Sequence, residues 1–301
     1  MQSINQIVEL PLFAEKNIAL VIKREDLLHP FISGNKFRKL KYNILAAQAE
    51  GKNTILTFGG AYSNHIAATA FAAKEKGLKA IGVIRGEELE NSWQQNTTLQ
   101  KAHEDGMQLK FISREAYRQK EEEHFIERLK NEFGDFFLVP EGGTNNLAIK
   151  GCEEIITQND KEFNMICSSV GTGGTVSGLI NASDPQQRII GFSALKGDFL
   201  KAEVRKMVKK ENWEINNDFH FGGYAKVTAQ LVRFINEFKE KTQIPLDPIY
   251  TGKMMFGLYH MIQHDTFVPG TKILAIHTGG LQGITGMNSI LKKKNLPLLH
   301  I

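Results

Sequence analysis

The segment Ser33-Gly34-Asn35-Lys36-Phe37-Arg38-Lys39-Leu40-Lys41-Tyr42 resembles a basic helix face, until helical spacing separates its members. At steps of four, four and three, Lys36 shares a stripe with Leu40, Ile44 and Ala47, the face that should be buried. Arg38, Lys39 and Lys41 are expected to project elsewhere. A lysine on an apolar face either snorkels to water or ends in a semi-buried pocket. In the second case desolvation lowers its pKa and leaves the amine nucleophilic, as Schiff-base chemistry requires. The pattern alone leaves both readings open.

Three apolar runs lead into polar, glycine-bearing turns followed by helix-like sequence: TILTF-GGAYSNH-IAATAFAAK, MICSS-VGTGGT-VSGLI and KILAI-HTGGLQG-ITG. Glycine lets backbone N–H groups approach an anion, and a following helix adds its positive N-terminal dipole. The loop Gly171-Thr172-Gly173-Gly174-Thr175 lacks the Gly-Lys-Ser/Thr ending of a Walker A loop. It also departs from a dinucleotide fingerprint, with Val176 where the third glycine belongs and Gly178 two positions late, which argues against a nicotinamide or flavin enzyme. A single phosphate, held by backbone N–H groups and the hydroxyls of Thr172 and Thr175, suits it better; a glycine turn without a ligand is the alternative. In the turn Gly59–His65, Ser63 and Asn64 are favoured caps of the next helix. Their functional reading is a substrate carboxylate on Ser63 and nearby N–H groups, with a cofactor on Asn64. His65 is a cap partner, a hydrogen-bonded core residue or an acid/base group.

These turns need strands to carry them. Candidate strands are 54–58, 79–84, 108–112, 136–139, 165–169, 188–192 and 272–277, alternating with helical patterns at 36–50, 64–76, 91–104, 114–133, 148–158 and 228–241. Such alternation predicts an α/β architecture with parallel sheets covered by helices, and ligand-binding turns at the carboxyl ends of the strands. No Pro/Gly/Ser linker interrupts the 301 residues, so two domains would be interleaved rather than strung in series. The balance of 37 basic against 33 acidic residues, a net +4, is too small and dispersed for a nucleic-acid surface. No apolar run is long enough for a membrane span, and MQSINQIVEL lacks the features of a signal peptide, so a cytoplasmic location is expected. Cys152 and Cys167 fall in no disulfide or zinc pattern.

Taken together, GNK at 34–36, SNH at 63–65, VGTGGT at 170–175, LDPIYTGK at 246–253 and HTGG at 277–280 resemble the 1-aminocyclopropane-1-carboxylate deaminase/D-cysteine desulfhydrase family, fold-type-II enzymes dependent on pyridoxal 5'-phosphate. The resemblance spans nearly the whole chain. It implies two interleaved, open, twisted, mostly parallel sheet domains flanked by helices: a large one of residues 1–49 and 146–301, and a small inserted one of 50–145. It implies that Lys36 holds the cofactor as a Schiff base and moves the substrate proton, that Asn64 bonds the phenolic oxygen, and that Gly171–Thr175 hold the phosphate. Ser63 would bind the substrate carboxylate or assist proton transfer, with Asn64 and His65 beside it, and Tyr250 would flank the ring as acid or base. Thr251 is expected near the pyridine nitrogen, where cyclopropane-opening members carry a glutamate, with Thr278 as a second hydroxyl. Ser33 replaces a usual glycine, and Gly223-Tyr224-Ala225 replaces a usual Gly-Tyr-Gly, so Tyr224 carries over as a catalytic residue only loosely. The expected activity is β-elimination from D-cysteine by a homodimer. Cyclopropane opening, another small amino acid, or a non-catalytic cofactor-binding protein are the alternatives.

Overall fold

The structure is a computed structural model that describes residues 2–301. Ten strands, β1 (Asn5–Val8), β2 (Ala19–Lys23), β3 (Thr54–Gly59), β4 (Lys79–Arg85), β5 (Met107–Ile112), β6 (Phe137–Val139), β7 (Met165–Val170), β8 (Arg188–Ser193), β9 (Trp213–Asn216) and β10 (Lys272–Ile276), form two sheets. The six-stranded sheet has the order β1-β2-β10-β7-β8-β9 and the four-stranded sheet β5-β4-β3-β6. Every pairing is parallel except β1 with β2. Strands β3, β7 and β8 are buried beyond their first residue, which is why each reads as a nearly continuous apolar run rather than an alternation. Pairing of β10 with both β2 and β7 brings the two ends of the chain into one sheet.

Among the described residues twelve α-helices cover the sheets: α1 (Pro11–Glu15), α2 (Asn35–Ala49), α3 (Asn64–Glu75), α4 (Thr97–Glu104), α5 (Arg114–Arg118), α6 (Glu123–Phe133), α7 (Asn146–Glu153), α8 (Gly174–Ala182), α9 (Phe199–Arg205), α10 (Ala229–Thr242), α11 (Thr251–Gln263) and α12 (Ile284–Lys293). No helix is long and apolar enough to cross a membrane among the described residues.

Strand β2 and helices α1, α9, α11 and α12 lie outside the elements expected from the sequence, and three further departures have local causes. The helix expected from 91 begins at Thr97, because the Asn96 side chain accepts from the amides of Thr98 and Leu99, both at 3.0 Å, and caps it there. The single helix expected over 114–133 is two, with Ser113 capping the first and the solvated Gln119–Glu122 stretch leaving helical geometry between them. Strands β1 and β9 are four-residue edge strands, too short to show a period against their flanks.

Helix α2 carries Lys36 in its first turn. Its stripe of Leu40, Ile44 and Ala47 packs into one cluster with Ile55, Ala68, Ala72 and Val139 of the four-stranded sheet and its helix. The helix thus packs one face on the smaller sheet and its helix and another on α7. Arg38, expected to project outward, is buried against Glu25, with Nε to Oε2 at 2.9 Å and Nη2 to Oε1 at 3.0 Å. A carboxylate matching both arms of the guanidinium fork is what makes burying that charge tolerable.

Candidate active site

The carboxyl ends of β3, β4, β7 and β10 open on one cavity of about 640 Å³, lined by α2, by the turns at 60–65 and 171–176, and by Tyr224, Tyr250 and Thr278–Gly280. Lys36 enters it from the first turn of α2. The entry is fixed by backbone rather than by side chains. Gly34, the residue before the helix, has φ +59°, and a Cβ there would lie 2.0 Å from the Thr278 carbonyl oxygen; the Asn35 amide donates to the same oxygen at 3.2 Å. The Lys36 ammonium donates to Asn35 Oδ1 at 3.1 Å, and Asn35 Nδ2 donates to Thr175 Oγ1 at 2.7 Å, so one asparagine links the amine to the glycine loop.

Burial and then the neighbouring Lys39 charge lower the Lys36 pKa from 10.5 to about 7. Capture of an aldehyde needs the neutral amine. The rate at which cofactor-free protein forms a covalent adduct with an aldehyde should therefore fall about tenfold per pH unit below about 7 and level off above it. Stopped-flow absorbance across pH 5 to 9 checks this, and a rate still rising through pH 9 contradicts it.

Lys39 is a correction. It does not project away from the buried face but reaches the same cavity, where Nζ donates to Gly142 O and Thr144 Oγ1, both at 2.9 Å, and lies 3.5 Å from Thr172 Oγ1. Burial brings it down to about 8. Its position three residues after Lys36, on the adjoining flank of the helix, was the available signal.

The loop 171–175 opens α8. Gly173 is left-handed at φ +86°, no side chain caps the helix, and the first-turn amides have no acceptor within it. A Cβ on Gly174 would lie 2.8 Å from Thr144 Oγ1 and 3.2 Å from the Lys39 ammonium, and one on Gly171 would lie 3.1 Å from the Tyr250 ring. Backbone N–H groups, the exposed Thr172 hydroxyl and the Lys39 cation thus converge on a space that side chains would fill. That is the donor set for a phosphate dianion. A lysine titrating near 7 in the same cavity supplies the partner of an aldehyde, so these residues fit pyridoxal phosphate.

Of the other expected residues, Ser63, Asn64, His65, Tyr224, Tyr250 and Thr278 all line the cavity. Ser63 also caps α3, its Oγ accepting from the Ile66 amide at 3.3 Å. His65 is buried and bonded through Nε2 to Thr57 Oγ1 at 2.8 Å. Thr57 spends its own proton on Val139 O, so it accepts from His65, which places the imidazole proton on Nε2 and leaves Nδ1 bare. Burial, with the Lys36 and Lys39 charges, holds this histidine well below 6.5 and therefore neutral.

Thr251 is placed elsewhere than expected. It is fully buried outside the cavity lining, and its hydroxyl donates to Asp247 Oδ1 at 2.7 Å. The reason is local: Asp247 accepts from the amides of Ile249, Tyr250 and Thr251 and so turns the chain into α11, drawing the Thr251 side chain under that turn. The Asp-Pro pair before an apolar helix was a legible start signal. Thr278 keeps its place in the cavity, Oγ1 lying 3.1 Å from Ser169 Oγ. Tyr250 and the exposed Tyr224 meet edge to face at 6.2 Å, and desolvation pushes the Tyr250 phenol well above 10.

The sequence profile described as "Pyridoxal-phosphate dependent enzyme" matches residues 3–279. A Pyrococcus horikoshii protein provisionally named a 1-aminocyclopropane-1-carboxylate deaminase is 31% identical over 282 residues, covering 87% of this chain and 84% of that one. The "Bifunctional D-cysteine desulfhydrase/1-aminocyclopropane-1-carboxylate deaminase, mitochondrial" of Arabidopsis thaliana is 30% identical, covering 88% of this chain and 73% of its own. A crystal structure of an ACC deaminase homologue superposes with a TM-score of 0.83 at 30% identity, covering 97% of this chain and 94% of that one. Threonine deaminase isoform 2 of Solanum lycopersicum shares the fold alone, with a TM-score of 0.66 at 16% identity over 96% of this chain and 84% of that one.

Proposed function

The chain belongs to the pyridoxal-phosphate dependent enzymes, and on that premise we propose that it is a lyase acting on a small amino acid, releasing pyruvate, ammonia and sulfide from D-cysteine. The bound cofactor supplies an electron sink for the substrate's α-carbon. The chain's own groups do the rest. Lys36 anchors the cofactor's aldehyde and, with a pKa near 7, takes the α-proton as a base. The first-turn amides of α3 and the Ser63 hydroxyl receive the substrate carboxylate. Asn64 would hold the cofactor's phenolic oxygen, and the 171–175 loop with Lys39 would hold its phosphate.

Tyr250 and Tyr224 are protonated at neutral pH, as phenols ordinarily are, and desolvation raises Tyr250 further, so either serves as an acid toward a departing thiolate rather than as a base. One observation carries the choice of reaction. The hydroxyl of Thr278 faces the cavity, whereas the nearby carboxylate of Asp247 is occupied by three backbone amides and the Thr251 hydroxyl. A hydroxyl toward the ring nitrogen supplies no charge to hold it protonated, which suffices when the leaving group is a thiolate. The plant relative bears both activity names, which supports the substrate pair to be compared.

The experiment is a panel of D- and L-cysteine, D- and L-serine and 1-aminocyclopropane-1-carboxylate, with 2-oxo acid and sulfide both measured. Pyruvate and sulfide in equal amounts from D-cysteine, with little 2-oxobutyrate from the cyclopropane, is the expected result. Efficient cyclopropane turnover without D-cysteine turnover contradicts it.

A further inference from the structure

Among the described residues, each charged side chain that lines the cavity has a hydrogen-bonding or ionic partner except one; Lys36, for example, has Asn35 Oδ1 at 3.1 Å. Arg114 Nη2 meets Glu88 Oε1 at 2.8 Å, Lys120 meets Glu141 at 3.4 Å, Lys39 bonds its carbonyl and hydroxyl acceptors, and Asp247 is filled by donors. Arg85, the last residue of β4, also lines the cavity, yet among the described residues no carboxylate oxygen lies within 4.0 Å of its guanidinium. It is exposed, with Cζ 5.5 Å from the centroid of the buried Tyr117 ring. Its Nη2 lies 3.5 Å from the position a Cβ would take on Gly60, in the turn that leads to Ser63 and the start of α3.

Two anions already have receptors here, the phosphate at the start of α8 and the α-carboxylate at the start of α3. An arginine next to the second of these, stacked on an aromatic ring and carrying a free fork of donors, is built to receive a third. We infer that Arg85 binds a second acidic group on a ligand's side chain, so that beside D-cysteine the cavity also receives short amino acids bearing a side-chain acid, and holds them more tightly than their amides. This rests on the proposed reading only in that the cavity takes an α-amino acid.

The test uses the holoenzyme and near-isosteric pairs, aspartate against asparagine and glutamate against glutamine, each as both enantiomers, titrated by the change in the cofactor's visible absorption. For one pair the acid should bind about tenfold more tightly than its amide, as a charge-assisted bond predicts. Added salt should narrow that gap, R85Q should close it, and R85K should restore part of it. Equal binding of acid and amide by the native enzyme overturns the inference. So does R85Q weakening both members alike, which would assign Arg85 to the α-carboxylate. Because binding is read rather than turnover, a failure to cleave D-cysteine would sink the proposed reaction and leave this comparison intact.

Discussion

Replacing Lys36 with alanine should reduce turnover by at least about 10³-fold, because loss of an acid–base group alone costs about 10²- to 10⁴-fold and, on the proposed reading, this residue is also the covalent anchor. The cofactor should still co-purify in part, since on the proposed reading the α8 amides, Thr172 and Lys39 would hold its phosphate independently of the amine. Borohydride should then no longer attach the cofactor to the protein. The two lysines of α2 are separated by this variant: Lys36 reaches only Asn35, whereas Lys39 is held by a carbonyl and two hydroxyls. Assay of the purified variant with its absorption spectrum checks both halves of the expectation, and retained turnover would remove Lys36 from the chemistry.

Gly34→Ala should be nearly as damaging to the site and far more damaging to stability. Its backbone is left-handed at φ +59°, and the new methyl would lie 2.0 Å from a carbonyl oxygen, which no rotamer can relieve. Left-handed strain costs about 1–3 kcal/mol and overpacking a further 1–3 kcal/mol, so a loss of about 3 kcal/mol or more is expected. That corresponds to a Tm decrease of roughly 5–10 °C for a chain of this size. Gly51→Ala is the control: φ is +68° there, but nothing lies within 4 Å, so it should show the backbone strain without the overlap. A Gly34→Ala protein melting with the Gly51→Ala protein would show that the crossing of 33–35 with 278–279 yields easily. Where the crossing is rigid, the variant that does fold should also bind cofactor poorly, because Lys36 starts from this turn.

The glycine-bearing strand ends were legible because buried parallel strands are short apolar runs and because each site turn follows one directly. The buried face of α2 was legible from its stripe, whose Leu40, Ile44 and Ala47 are buried as that periodicity requires, whereas the stripe left Lys36 between water and a pocket, and only the Gly-Asn-Lys resemblance chose between them. The same rule misplaced Arg38 and Lys39: it sorts residues by a single buried face, whereas α2 packs against the smaller sheet on one side and α7 and the cavity on others. Thr251 was misplaced for a different reason. A position in a motif says which residues are near one another, but the direction of a hydroxyl depends on what else can bind it, and Asp247 lies four residues earlier. Arg85 carries no sequence signal at all, since a charged residue ending a strand ordinarily meets solvent. Only the fold shows that β4 ends at the cavity and that its neighbours' charges are spent on one another.

The most direct test of the account is to reduce the holoenzyme with borohydride, digest it and map the lysine that carries the pyridoxyl group by mass spectrometry. Lys36 should carry it at near-full occupancy, with Lys39 and the buried Lys253 unmodified. Modification at Lys39 or Lys253 in place of Lys36 would contradict the assignment on which the proposed reaction rests.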